Sequence, residues 1–495
     1  MYLKNIQLKN FKGFLGESAV IEFNGPDGKN FGSGLNILVG ENNGGKSTIL
    51  QAISFLCDGS SSGDLRCKYA NKEDDGGVIC EFVGQDVPDV LAFFASKNHQ
   101  KVLQEQVIDD SKLRVRRCFK TSKKVESLTE KASFNDEGKN NTGIDTTIKN
   151  CFDLNIVGAS DDPQELAGYG TKSLVKKLLE DIFKNASEAE DYNEFVQAFD
   201  KFFRNPDSSL RQQMGKVESS LSDNLSTFFG RGSVTFDIPC PDVGNIVKNL
   251  GVSVDTGIKL TLENHGNGLQ RMVAFSLLCV WAETQSSNKN LIKTKPYAFI
   301  LDEPEVCMHP RAQESLLKAL LQISKDHQVF VSTHSPLFLH DSKINNVNLL
   351  LCSKIARTNI VAKINNIKLF DWGPTWGEIS WFAYKLPTKE FHDELWSELI
   401  VQLKNMGYTI KYEIDVDKWL LDNAKVYLNG CVPISNWTKS GAKQNNERHS
   451  LYYCIRNAIH HPENELSQPA KLINDRLNES ISGLCKIVMG IKNIK

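Results

Sequence analysis

The chain has 495 residues, 58 basic and 60 acidic side chains, and 40% hydrophobic content, which excludes a disordered or fibrous polypeptide. At roughly 150 residues per domain there is room for about three domains with a substantial core. The near-zero balance excludes a generic nucleic-acid coat, which carries a large basic excess. No run reaches about 18 uninterrupted apolar residues, so no membrane span is expected, and the N-terminus lacks the apolar stretch of a secretory signal. None of the 12 cysteines forms a C-x-x-C pair. Cys57, Cys80, Cys279 and Cys352 sit in apolar runs, as reduced core thiols do, and a cytoplasmic location is expected.

Ile6 and Leu8 alternate with polar neighbours and predict an early strand. Leu35–Val39 reads as a buried strand entering a glycine-rich turn, and 47–56 as the helix after it. Further strands are expected at 78–83 and 113–119, and a polar loop at 134–149. Tyr192, Phe195, Val196, Phe199, Phe202 and Phe203 recur at helical spacing. After a break at Asn205-Pro206-Asp207, so do Leu210, Met214, Val217, Leu221, Leu225 and Phe228. This predicts a helical hairpin whose second arm, at roughly 1.5 Å per residue, is about 30 Å long, a stub rather than an extended coiled coil. Strand character returns near 230. An apolar helix is expected at 269–281, short buried strands at 297–301 and 329–332, and a helix at 311–324 between them. Beyond 385 the reading is helical, at 388–405, 415–425, 446–461 and 468–490. The expected division is 1–125, a helical insert at 126–230, a second lobe at 231–350 and a helical C-terminal domain at 351–495.

Four motifs carry chemistry. Gly40-Glu41-Asn42-Asn43-Gly44-Gly45-Lys46-Ser47, followed by Thr48, matches the phosphate loop G-x-x-x-x-G-K-[ST] and stands between a strand and a helix, as that motif requires. Its glycines let backbone N–H groups curl around phosphates at a helix N-terminus, Lys46 reaches the β- and γ-phosphates, and Ser47 ligates Mg²⁺. The apolar run 297–301 ends in Asp302-Glu303. A bare Asp-Glu after a strand is usually a turn. Paired with a phosphate loop, Asp302 suits the Mg²⁺ and Glu303 suits positioning or deprotonating the attacking water. The strand at 329–332 exits into Thr333-His334-Ser335-Pro336, where His334 can sense a γ-phosphate. A lone histidine is more often structural, but this one follows the acidic strand by a single helix. Finally, Gly266-Asn267-Gly268-Leu269-Gln270 opens a helix. A second anion-binding helix start makes sense if Asn267, Gly268 and Gln270 close on a nucleotide held by another protomer.

In this order the motifs resemble the ABC-type ATPase core of SMC and RecF proteins, and more closely the OLD-like ATPases, in which GxGLQ precedes a strand continuing as EPExxxHPxxQ. Here that stretch is Glu303-Pro304-Glu305-Val306-Cys307-Met308-His309-Pro310-Arg311-Ala312-Gln313, and Asn10-Phe11-Lys12 fits the family's N-F-[RK], a segment commonly near the adenine. The resemblance covers about residues 1–120 and 230–350. It implies an α/β head with a mixed sheet, ATP and Mg²⁺ as cofactors, ATP hydrolysis, and head-to-head dimers or higher homo-oligomers that sandwich ATP between Lys46 of one chain and Asn267-Gly268 of the other. Asn267 departs from the serine of transporters. No glutamine is assigned as a Q-loop; Gln85 merely follows a strand.

Toward the C-terminus, Pro374-Thr375-Trp376-Gly377-Glu378-Ile379 and Ile455-Arg456-Asn457-Ala458-Ile459-His460-His461-Pro462-Glu463-Asn464 resemble tails of ATPases from anti-phage systems such as PARIS and Septu, PARIS being the nearer. That resemblance implies a separately encoded effector nuclease and a phage-derived trigger. Arg456-Asn457-x-x-x-His461 also matches the R-N-x-x-x-H pattern of HEPN ribonucleases. On an ideal helix, however, His461 is rotated away from Arg456, and Pro462 stops the helix there. A helix end with cations facing its dipole is the plainer reading. Asp415 and Asp417 more plausibly begin a helix than form the D-x-D of a nuclease. Lys112, Arg114, Arg116, Arg117, Lys120, Lys123 and Lys124 are either a DNA-phosphate patch, as a RecF-type repair head would carry, or a charged edge strand.

Overall fold

The computed structural model describes residues 1–59, 65–71, 73–94, 107–109, 111–120, 124–139, 147, 153–158, 161–162, 190–229, 233–240, 251–287, 297–339, 346–364, 369–371, 373–438 and 447–493. Strands β1 (Tyr2–Phe11), β2 (Phe14–Glu17), β3 (Ile21–Glu22) and β4 (Leu35–Val39) lead to α1 (Lys46–Asp58). Next come β5 (Gly77–Val83), α2 (Val87–Phe94), β6 (Lys112–Cys118), β7 (Glu126–Ser127) and β8 (Asp153–Val157). The middle of the chain holds α3 (Glu190–Phe203), α4 (Ser209–Phe229), β9 (Ser253–Asp255), β10 (Lys259–Thr261) and α5 (Asn267–Ser287). They are followed by β11 (Tyr297–Asp302), α6 (Pro310–Ile323), β12 (Gln328–Ser332), β13 (Asn348–Ile355) and β14 (Thr358–Lys363). The last elements are α7 (Trp376–Tyr384), α8 (Lys389–Asn405), α9 (Glu413–Asn423), β15 (Ile434–Trp437), β16 (Glu447–Ser450), α10 (Leu451–His460) and α11 (Pro469–Ile491).

The chain divides into two compact units, one of 1–159, 289–305 and 313–495, the other of 160–288 and 306–312. The first unit is α/β, with two large sheets. One is antiparallel, in the order β2-β1-β5-β6-β7, with β3 also on β1. The other is mixed, β14-β13-β4-β12-β11-β8, with only the β13–β14 pair antiparallel. All five residues of β4 and of β12 are buried, so these central parallel strands read as unbroken apolar runs rather than alternating ones. Ile49 and Ile53 of α1 join Leu38, Ile300, Phe330, Leu350 and residues of the antiparallel sheet in one core. Because Asp302, Ser332 and Leu38 stand in register across β11, β12 and β4, the exits of these three strands lie side by side. The α/β head with a mixed, phosphate-loop-bearing sheet is therefore the architecture expected from the motifs.

The expected boundary at 350/351 falls inside β13. Leu349 to Cys352 is a buried run beside β4, and the chain then turns at Ala356-Arg357 to pair β14. The hairpin belongs to the sheet, and the helical region begins only after it. Residues 447–450, expected to open a helix, pair with β15 instead, and α10 starts at Leu451 because the Ser450 hydroxyl caps it. Of the predicted loop at 134–149, residues 134–139 are irregular, with Lys139 bridging to Ser127; 140–146 and 148–150 lie outside the described residues. From 373 onward, Phe391, Leu395, Leu399 and Leu403 form one stripe of α8. That stripe packs with Val416 and Leu420 of α9, Ile455 of α10 and Ile481, Leu484 and Val488 of α11.

In the second unit, α3 and α4 form the predicted hairpin around 204–208. Phe199 and Phe203 pack with ring centroids 4.5 Å apart. Among the described residues, the strand character expected after 230 is seen in the β9–β10 ribbon; 230–232 and 241–250 lie outside them.

Candidate functional site

The turn from β4 into α1 is built from backbone that only glycine accepts. At Gly40 (φ 138°) an added Cβ would lie 1.9 Å from the Cys352 carbonyl oxygen of β13, so no side chain is possible. Gly45 caps α1 in the left-handed region, leaving the first helical N–H groups without a side-chain partner. Lys46 is buried and donates to the carbonyls of Gly40 (2.9 Å) and Glu41 (3.0 Å). Burial lowers the pKa of its ammonium below the usual lysine range, against the opposing pull of Glu303, Asp302 and Glu305.

The neighbouring strand exits complete the constellation. Ser47 Oγ donates to Asp302 Oδ1 at 2.9 Å, and the Ser332 hydroxyl donates to the same oxygen. Glu303 follows with φ 49°, a conformation costly for glutamate and typical of a residue aimed for function. Its amide donates to the Ser332 hydroxyl at 3.1 Å, and its carboxylate Oε1 lies 3.5 Å from His334 Nε2. Burial, then Lys46, shifts the His334 imidazole below the usual histidine range, with Glu303, Glu305 and Asp302 opposing. His334 is thus a neutral acceptor or donor at neutral pH. Glu305, to which the sequence assigned no role, sets this loop. Its Oε1 accepts the Thr333 hydroxyl (2.8 Å) and the amides of His334 (2.7 Å) and Ser335 (3.1 Å).

A cavity of about 720 Å³ opens here, lined by Asn42, Asn43, Gly45, Lys46, Ser47, Thr48, Glu303 and His334 together with Lys12, Gly13, Arg66, Lys68, Tyr69, Lys354, Arg357 and Asn359. The last group includes residues that motif reading missed. Arg66, Lys68 and Tyr69 come from a turn after α1, and Lys354, Arg357 and Asn359 from the β13–β14 hairpin. Tyr69 is 63% exposed, with the Arg357 guanidinium 5.6 Å from its ring centroid. Asn10 and Phe11 are buried, and only Lys12 of that trio faces the cavity. The donor set fits a triphosphate with Mg²⁺: several cations for phosphate oxygens, and hydroxyl and carboxylate oxygens of Ser47 and Asp302 for a hard ion that keeps water and phosphate ligands. Among the described residues no group of three or more His, Cys, Asp and Glu forms a self-contained metal cage.

In the other unit, Asn267 opens α5 and is exposed. A Cβ on Gly268 would come within 2.7 Å of the Cys307 carbonyl oxygen. Gln270, expected to touch nucleotide, is buried, and its amide is spent on the carbonyls of His265 (2.7 Å) and Glu263 (3.4 Å). It braces the loop that precedes the helix.

Several of the remaining sequence candidates are engaged by the chain itself. Arg116 is 7% exposed, pairs with Glu126 at 2.5 Å and donates to the carbonyls of Ser133, Phe134 and Asp136. Lys112 pairs with Glu130, and Arg114 donates to the Glu130 carbonyl. Strand β6 is not an edge either, since β5 and β7 flank it. Lys123 lies outside the described residues. Arg456 pairs with Glu413 at 2.9 Å, whereas His461 sits just past the end of α10, exposed and 3.3 Å from Glu463. Asp415 accepts the Lys411 and Tyr412 amides at the start of α9. Asp417 is buried against Ser450 and His449.

Comparison with known proteins gives one domain model, described as "AAA domain, putative AbiEii toxin, Type IV TA system", matching residues 35–340. The Old nuclease of Escherichia phage P2 is 26% identical over 385 residues, 74% of this chain and 62% of that protein. The chain therefore spans about three fifths of that relative's length. An uncharacterized protein of Methanocaldococcus jannaschii is 28% identical over 104 residues, 21% of this chain and 26% of that one. Among solved structures, an SMC head bound to the C-winged helix domain of ScpA aligns at TM-score 0.44 and 15% identity, covering 73% of this chain and 97% of that one. The SMC head domain from Thermotoga maritima aligns at 0.36 and 16%, covering 73% and 99%.

Proposed function

The chain belongs to this AAA family, whose model takes in well over half of it, and from that premise we propose that it binds and hydrolyses ATP with Mg²⁺. The observation that carries the reading is the union, in one cavity, of Lys46, Glu303 and His334 with the Ser47–Asp302 pair. In this reading the α1 N-terminus and Lys46 hold the phosphates, and Ser47 and Asp302 hold the ion, which neutralises charge on the transferred phosphoryl group. Glu303 orients or deprotonates the attacking water, and His334, presented by Glu305, contacts the γ-phosphate. Tyr69 and Arg357 form a flat, cationic wall on which the base stacks.

We further infer that two chains close head to head on ATP, each giving Asn267 and Gly268 to its mate's nucleotide, so that binding and hydrolysis switch the assembly between two shapes. Such a switch suits the control of a separate effector nuclease in an anti-phage system of the PARIS kind, triggered by a phage product. Asp415 and Asp417 serve as helix-start and core residues, so this pair does not supply the D-x-D of a nuclease. The decisive experiment is Glu303→Gln in the full chain. It should retain ATP binding by calorimetry, slow hydrolysis by about 100-fold, the scale of a lost acid–base group, and accumulate an ATP-dependent dimer in light scattering. Unchanged turnover would refute the role of Glu303, and a monomer at saturating ATP would refute the head-to-head assembly.

A further inference from the structure

Among the buried polar atoms near the site that lack a hydrogen-bond partner within the described residues, two belong to residues near enough to feel each other's charge. Glu305 Oε1 is saturated by the 333–335 loop, but its Oε2 is buried and unpaired; so is the hydroxyl of Tyr384. Buried orphans are uncommon, and each calls for an explanation. Tyr384 is the last residue of α7, which packs against the 336–339 turn following His334 and against β13. Burial, reinforced by the Glu305 charge, raises the phenol's pKa, so it remains a protonated donor at every working pH.

Helix α7 is held at both ends. At the N-terminus Thr375 and Glu378 form a reciprocal cap and the Thr375 hydroxyl donates to Glu394 of α8 at 2.6 Å; beside Tyr384, Lys385 closes the C-terminus in the left-handed region. The helix is therefore a short strut. It runs from the α8 side of the C-terminal core to the 336–339 turn that follows His334.

The geometry points to Tyr384 as a positioning residue for the His334 loop, its hydroxyl donating to Glu305 Oε2 when the site closes on nucleotide. That bond would fix the one carboxylate on which the Thr333, His334 and Ser335 donors converge, and would tie their placement to α7 and α8. A change in the helical region, such as the docking of a partner protein, would then be felt at the site through the strut. The inference rests on the ATPase reading above.

The test compares Tyr384→Phe with wild type in the full chain and uses Tyr452→Phe, another buried unpartnered phenol in the C-terminal core, as its control. Tyr384→Phe should lower kcat about 5- to 10-fold, the scale of one lost hydrogen bond, with KM for ATP and Tm unchanged. Tyr452→Phe should leave kcat unaltered. Combining Tyr384→Phe with Glu305→Gln should be no slower than Glu305→Gln alone, because both remove the same link. A wild-type kcat in Tyr384→Phe, effects that multiply in the double variant, or an equal loss in Tyr452→Phe would each overturn the proposal. If wild type binds but never hydrolyses ATP, the ATPase reading fails as well. Hydrolysis by wild type with an unaffected Tyr384→Phe sinks only the strut.

Discussion

The cavity around the phosphate loop and the helical core beyond residue 373 draw on the same side chains to opposite ends. Each has a histidine: His334 stands half-exposed 3.5 Å from Glu303, whereas His392 is fully buried with Nε2 2.9 Å from Ser480 Oγ. Each has a close pair of carboxylates. At the end of a strand Asp302 accepts the Ser47 and Ser332 hydroxyls while Glu303 lines an open cavity, and Asp415 and Asp417 are consumed by backbone amides, a hydroxyl and an imidazole. Residue type alone does not mark a site. What sets the first region apart is that Lys46, Glu303 and His334 border one ligand-sized cavity, even though Lys46 is also bonded to carbonyls of its own loop.

The sharpest way to break that contrast is Lys46→Ala. Removing the one buried cation among the phosphate-loop N–H groups should weaken ATP binding at least about 100-fold, since charge-assisted hydrogen bonds are the strong ones. Unaltered binding by calorimetry would leave the cavity without its defining ligand. Next is Tyr69→Ala, for which ATP affinity should fall about 10-fold, within the range for lost base stacking, while inorganic tripolyphosphate binds as before. Equal losses for both ligands would mean that the ring supports the phosphate cradle instead.

In the helical core the expected response is to pH. Burial depresses the His392 pKa to about 3, so the folded chain keeps this imidazole neutral while the unfolded chain protonates it from about 6.5 downward. The unfolded state therefore binds more protons, and stability must fall as pH drops below about 6.5. Tm measured from pH 7 to 5 should decline in wild type and decline less in His392→Gln. An identical slope would show that other groups dominate. The smallest effect is expected for His461→Ala, whose exposed ring should cost less than about 0.5 kcal/mol of stability. Metal-independent RNA cleavage by the wild type that this change abolished would instead make the helix end a catalytic site.

Legibility in the sequence followed the length of chain over which each feature is written. The phosphate loop, the Asp302-Glu303 strand end and the His334 loop are each encoded within eight contiguous residues whose spacing is itself the chemistry, and all three meet as expected. The opposite wall of the cavity was hidden. Arg66, Lys68 and Tyr69 sit in a turn without periodicity, and Arg357 and Asn359 lie on a hairpin whose buried first half, 349–352, gives no alternation to betray a strand. For the basic run at 112–124, of the two readings left open, the edge strand does not hold, since β7 covers β6. The partners of Lys112, Arg114 and Arg116, namely Glu126, Glu130 and the carbonyls of Ser133, Phe134 and Asp136, belong to the chain just beyond the strand and meet it only once β6 and β7 pair. Glu305 stood in the EPExxxHPxxQ stretch without a role, because its task is to hold three donors that become its neighbours only in the fold.

The ammonium of Lys46 spends two of its three N–H donors on carbonyls of its own loop. The side chain at the end of the turn thereby staples the curve that precedes it, so shortening or truncating Lys46 would loosen the loop's shape as well as remove a charge.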